Sequence, residues 1–276
     1  MTDNIFILTE GAHDAAFIYK ILLANGVKSH NIAIKNYPSV LKNLFMENIS
    51  SVPVEEIKVD DATPKFFPHY VAKNNDSYFC IYATNGLTQN KVRDDFIKTI
   101  KSFVVSDPDE IAVGEDGDIY SILFFVDADD EGVDIRMGQI KSDLKLSFAP
   151  DSVDGIGHKE IRLIDGINIG IFVITGSDKN TGMLEDILIP LMKKDNEGIF
   201  NSVEKFLSDN TENADANRYE NYKYKKAVIG TAGQLQISGC SNAVYIKKTD
   251  YMTNDKIKSD EVCNEIFSFI KQAMTC

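Results

Sequence analysis

The sequence predicts an α/β fold: a mainly parallel central sheet flanked by helices, with a helical extension at the C-terminal end. Three observations carry that expectation. Short, near-continuous apolar runs stop abruptly at a turn or an acid, as strands covered on both faces do. Amphipathic stretches of helical spacing fill the intervals between them. Strand and helix therefore alternate, the order that right-handed crossovers turn into parallel sheet.

The first run, Ile5 to Thr9, ends on Glu10-Gly11. Ala15, Phe17, Ile18, Ile21 and Leu22 then share one helical face, and Gly26 supplies a stop. Asn31 to Lys35 reads as a weaker strand. Residues 46–77, with Pro53, Pro64 and Pro68 among many acids, read as an extended insertion or a hairpin. Tyr78 to Ala83 is the second buried run, followed by the stripe Val92, Phe96, Ile100 and Phe103. Tyr120 to Val126 is the third, followed by Met137, Ile140 and Leu144 on one face. Ile167 to Thr175 is the fourth, with IRLID just before it. Helical segments over Met183 to Met192, Ile199 to Leu207 and Val262 to Met274 make up the extension. Residues 208–224 are polar and nearly devoid of aliphatic side chains, the composition of a solvated connection. The division expected is a core over residues 1–176 and an extension over 177–276 packed on the same domain.

Composition narrows the function. The chain carries 42 Asp and Glu against 29 Lys and Arg, a formal net charge of -13 at pH 7. A protein that coats phosphates along its surface needs the opposite balance, which excludes a general basic nucleic-acid binder. Nucleic-acid contact has to be local, bridged by metal or shared with a partner. Cys80, Cys240, Cys263 and Cys276 form no CxxC pair, and His13, His30, His69 and His158 are equally scattered, so no structural zinc site is expected. The opening MTDNIFILTEG lacks the features of a signal peptide, and no apolar stretch approaches the ~20 residues of a membrane span. A reduced, cytoplasmic protein is expected.

Chemistry concentrates at two strand ends. In an open parallel sheet, ligands sit in the crevice at the carboxyl ends of the strands. Glu10 lies there by position, Gly11 permits a tight turn into the helix, and Asp14 sits in that helix's first turn. Asp14 has a plainer role as a capping acid that complements the helix dipole. The second cluster, Asp127-Ala128-Asp129-Asp130-Glu131-Gly132, follows the run SILFFV directly. In extended backbone Asp127 and Asp129 share a face, and two such carboxylates repel unless a cation lies between them. A hard divalent ion with oxygen ligands, magnesium above all, meets that need; the plainer reading is a solvated acidic loop. A calcium loop starting at Asp127 is excluded, because Gly138 stands where its glutamate belongs.

These two clusters, in this order, resemble the Toprim domain shared by topoisomerases, primases and nucleases of the overcoming-lysogenization-defect type. The matching residues are Glu10-Gly11 and Asp127-x-Asp129-x-x-Gly132, with a strand-glycine turn at Gly86 between them. The resemblance covers about residues 4–150 and implies a Rossmann-type fold and phosphoryl transfer on a nucleic-acid backbone, with Mg2+ or Mn2+ as cofactor. It implies Glu10 as general acid/base or a second metal ligand, and Asp127 and Asp129 as metal ligands, supported by Asp14 and Asp130. Further acids often join such sites; Glu185 and Asp186 qualify, unless they merely occupy the polar face of a helix. A downstream lysine that steadies transition-state charge would be Lys225 or Lys226, unless these are solvated lysines at a helix start. The resemblance also implies DNA or RNA as partner and, by analogy, an ATPase. The rival expectations are a binding or regulatory module without turnover, and a small-molecule phosphohydrolase.

Overall fold

A computed structural model describes residues 2–47, 67–84, 90–104, 117–211 and 221–274. The chain opens with β1 (Asp3–Thr9), α1 (Ala12–Ala24) and β2 (Lys28–Ser29), then α2 (Ser39–Glu47), β3 (Tyr70–Asn74) and β4 (Ser77–Ala83). It continues through α3 (Asn90–Lys101), β5 (Ile119–Asp127), α4 (Val133–Leu144), α5 (Pro150–Asp154), β6 (Ile161–Ile164) and β7 (Ile167–Ile174). The C-terminal helices are α6 (Leu184–Lys193), α7 (Glu197–Thr211), α8 (Asn221–Gln234), α9 (Asn242–Lys248), α10 (Asn254–Ser259) and α11 (Glu261–Gln272).

Among the described residues the strands form one sheet in the order β2-β3-β4-β1-β5-β7-β6. The four central strands, β4, β1, β5 and β7, are parallel, and antiparallel hairpins close both edges. The α/β expectation holds, as does the helical C-terminal region. The parallel strands are apolar on both faces because both are covered. Alternate residues serve different layers: Ile5, Ile7, Leu123 and Phe125 pack with α1 and the C-terminal helices, while Phe6, Leu8, Ile122 and Phe124 face α2, α3 and α4. Asp165 and Gly166, both left-handed at φ 48° and 76°, make the two-residue turn that reverses β6 into β7.

The C-terminal helices share the first of these cores with α1. The seam is close-packed at Gly170 in β7, where a Cβ would lie 2.7 Å from Phe269 Cζ and 3.0 Å from Leu123 Cδ2. Gly170→Ala is therefore expected to cost about 1–3 kcal/mol through overpacking, read from the urea midpoint. An unchanged midpoint would mean that α11 is not seated there.

Three local expectations change. Residues 31–35 are not a strand: Ile34–Asn36 is a 3₁₀ turn with one buried side chain, Ile34, and the Tyr37 hydroxyl donates back to the His30 carbonyl. The edge strand lies just before it, at Lys28–Ser29. Of residues 46–77, the last part is the β3–β4 hairpin, while 48–66 lie outside the described residues. Of residues 208–224, both ends are helical, α7 running to Thr211 and α8 starting at Asn221, with 212–220 outside the described residues. Among the described residues no helix is long and apolar enough to cross a membrane.

Candidate functional site

Parallel strands bring their carboxyl ends to one rim, and the acids singled out from the sequence collect there. Thr9 of β1 pairs with Phe125 of β5, so Glu10 and Asp127 leave the sheet side by side. The Asp127 amide donates to Glu10 Oε1 at 3.1 Å. The loop after β7 then delivers the start of α6 to the same place, and the Leu184 amide donates to Asp127 Oδ1 at 2.9 Å. That contact aims the positive end of the α6 dipole at a carboxylate. The next residue, Glu185, is 2 % exposed. Asp14, from the first turn of α1, is 7 % exposed and accepts the Gly11 amide at 2.9 Å.

Four carboxyl groups thus crowd a poorly hydrated site, and the titration of Glu10, Asp14 and Asp127 reflects it. Burial, with the charge of Asp14 next, raises Glu10 from 4.5 to about 7. Burial, with Glu185 next, raises Asp14 from 3.8 to about 6. Burial also pushes Asp127 well above the usual carboxylate range, reinforced by Asp14, Glu10 and Glu185. Charged forms in such a place need cations.

Basic side chains ring the cluster. His13 Nδ1 lies 3.6 Å from Glu185 Oε1, and Lys226 Nζ lies 3.9 Å from the same oxygen. Lys225 Nζ is 2.5 Å from Asp186 Oδ1. Arg136 of α4, 8 % exposed, pairs with Asp129 and reaches Glu131 at 3.4 Å, and among the described residues its Nε finds no hydrogen-bond partner. The four buried or half-buried carboxyl groups, Glu10, Asp14, Asp127 and Glu185, present oxygen donors alone, the chemistry of a hard divalent cation and not of zinc. Among the described residues, no group of three or more His, Cys, Asp or Glu side chains is already arranged to hold a metal ion. Ligation here would draw in side chains now held by the Leu184 amide and by neighbouring charges.

A family described as "Protein of unknown function (DUF3226)" matches residues 4–274. The chain belongs to the DUF3226 family. No curated protein matches it. Among solved structures, it is similar to the hypothetical protein PH0156 from Pyrococcus horikoshii OT3, at 15 % identity, over 99 % of this chain and 95 % of that one, with a TM-score of 0.52. At that identity the likeness concerns the fold alone, which this DUF3226 member shares along nearly its whole described length.

Several site expectations are revised in this DUF3226 fold. Asp129 does not extend β5 onto Asp127's face. Its φ is 48°, it bridges to Gly182 through two backbone hydrogen bonds of 2.7 and 2.9 Å, and its carboxylate turns to Arg136. The cation beside Asp129 is an arginine. Asp130 is exposed and stays out of the cluster. Gly11 has φ −142°, open to any residue; what favours glycine is the Asp14 carboxylate, 3.2 Å from where a Cβ would sit. Gly132, at φ 88°, does need its missing side chain to start α4. Glu185 is not on a solvated helix face, whereas Asp186 does cap α6, accepting the Met183 amide at 3.0 Å. Lys225 and Lys226 face these two acids, although both sit at a helix start. Gly86 lies outside the described residues.

Two contributors were not singled out from the sequence. His13, counted only among the scattered histidines, is half-buried against Glu185. Arg136 had a faint signal: a lone arginine beside Met137 on an otherwise apolar stripe.

Proposed function

We propose that the chain is a magnesium- or manganese-dependent phosphoryl-transfer enzyme of the cytoplasm, a Toprim-type nuclease acting on DNA or RNA. The observation that carries this reading is the meeting of Glu10, Asp127 and Glu185, 175 positions apart at the extremes, with Lys226 beside them. A pKa of about 7 suits Glu10 to both giving and taking a proton near neutrality. Lys226 and Lys225 offer ammonium groups where a phosphate would gather charge. Asp127 and Glu185, with Glu10 or Asp14, would hold the cation, which supplies neutralisation of the phosphoryl oxygens. Asp129 joins them only on leaving Arg136, and the freed guanidinium is then a donor for a phosphate oxygen.

The acidic surface favours one competing substrate class, small phosphate esters, which need no basic track. A panel of single-stranded DNA, duplex DNA, RNA and small phosphodiesters, assayed with magnesium, manganese or EDTA, separates the readings. Metal-dependent cleavage of the polymers, lost in Glu10→Gln and in Asp127→Asn by at least ~10²-fold, is the expected result. Cleavage of small esters alone assigns a phosphohydrolase. Metal binding with no turnover on any substrate would leave a regulatory module.

A further inference from the structure

Beside the carboxylate cluster, on the far side of the first turn of α6, lies a cleft of about 420 Å³ between the loop after β7 and the start of α11. Its position is set by α6 itself. That helix's first residues face Asp127 and the cluster, while Asp186, Ile187 and Pro190 line the cleft. Asp186 also holds Lys225, so the lysine pair stands at the junction of the two spaces.

The lining tells what fits. Phe172, Ile187, Pro190 and Val262 give the cleft apolar walls. Lys159 is paired with Glu265 at 2.6 Å and Asp186 with Lys225, which leaves Asp260 and Glu261 against Lys179. A phosphate is repelled from such a lining. A neutral, flat group with hydroxyls and ring nitrogens is accepted, since carboxylates take hydrogen bonds from sugar hydroxyls and amino groups while the apolar walls take the ring. At the lower end of the roughly 300–1,000 Å³ common for small-molecule sites, the volume holds one such unit and not a stack of several.

We infer that this cleft is a nucleoside subsite, which seats the base and sugar of a single terminal nucleotide while its phosphate lies toward Lys225, Lys226 and the carboxylate cluster. The substrate is then a chain end or a short nucleotide, and a long duplex, which the net charge of -13 repels, is not required. This deepens the phosphoryl-transfer reading and rests on it for the placement of the phosphate.

Glu261→Trp, at an exposed wall residue, and Ser177→Trp, on the opposite wall, would fill the cleft without touching the core. Calorimetric titration would use AMP and inorganic phosphate in magnesium, and adenosine in EDTA. Expected are AMP binding at least about tenfold tighter than phosphate, adenosine binding without metal, and a weakening of both by about tenfold or more in each tryptophan variant. The magnesium-induced melting shift should be the same in wild type and variants. AMP binding no tighter than phosphate, or nucleoside binding indifferent to both substitutions, overturns the subsite. Loss of the magnesium shift in the wild type, with adenosine binding intact and sensitive to tryptophan, would defeat the enzymatic reading and leave the subsite standing.

Discussion

Glu10→Gln is expected to make the metal-free chain more stable, not less, at about pH 8. The glutamine keeps an oxygen to accept the Asp127 amide, so the geometry at the rim is retained. What it removes is a carboxylate whose ionisation the folded state resists: a shift from 4.5 to about 7 corresponds to roughly 3 kcal/mol at most, and solvent at the half-exposed rim reduces that to roughly 1–3 kcal/mol. At roughly 2–4 °C per kcal/mol for a chain of this size, the melting temperature in EDTA should rise by several degrees. Saturating magnesium should invert the order. The wild type gains stability from a ligand bound only by the native state, about 2.7 kcal/mol at a hundredfold excess over its dissociation constant, and the glutamine variant gains less. A Glu10→Gln protein that melts lower in EDTA would show that the fold does not resist this carboxylate's ionisation, and one that keeps the full magnesium shift would leave Asp14, not Glu10, as the third ligand.

The second large effect is on pH dependence. Glu10 and Asp14 have folded-state pKa values above their unfolded ones, at about 7 against 4.5 and about 6 against 3.8. Between each pair of values the folded chain binds more protons than the unfolded chain, so stability falls as pH rises. His30, His69 and His158, lowered by burial, act the other way, adding stability as pH climbs toward 6.5. Above about pH 6.5 the histidines are largely neutral in both states, while Glu10 is still losing its proton in the fold. In EDTA, unfolding free energy should therefore decline from about pH 6.5 to 8, and the decline should flatten in Glu10→Gln and in magnesium-saturated wild type. Urea melts across that interval measure it; a level or rising profile in the EDTA-treated wild type would show that the rim carboxylates ionise freely.

Much of the architecture was legible because the buried strands are nearly pure apolar runs. Ile5–Thr9, Tyr78–Ala83 and Tyr120–Val126 can be little else, and once they are parallel, Glu10 and Asp127 must share a rim. The limits appear where one residue's backbone or a distant partner decides. Asp129 was placed beside Asp127 on the alternation of extended chain, but a left-handed turn ends that alternation one residue early. Nothing local in LEDILIPL separates Glu185, which turns inward, from Asp186, which caps the helix; that difference depends on where the start of α6 meets Asp127 and on its packing against α8. Lys225 and Lys226 meet acids some forty residues earlier, a pairing that no spacing encodes. His13 was set aside because its partner, Glu185, lies 172 positions downstream.

The order in which the rim's parts occur along the chain has a consequence for its birth on the ribosome. Glu10, Asp14 and Asp127 are made first, Glu185 next, Lys226 after that, and Phe269, which braces β7 at Gly170, later than all of these. A growing polypeptide therefore holds Glu10, Asp14 and Asp127 before Lys225 and Lys226 exist to offset the acids at the start of α6. The rim is therefore complete only once α8 has been made and has packed beside α6.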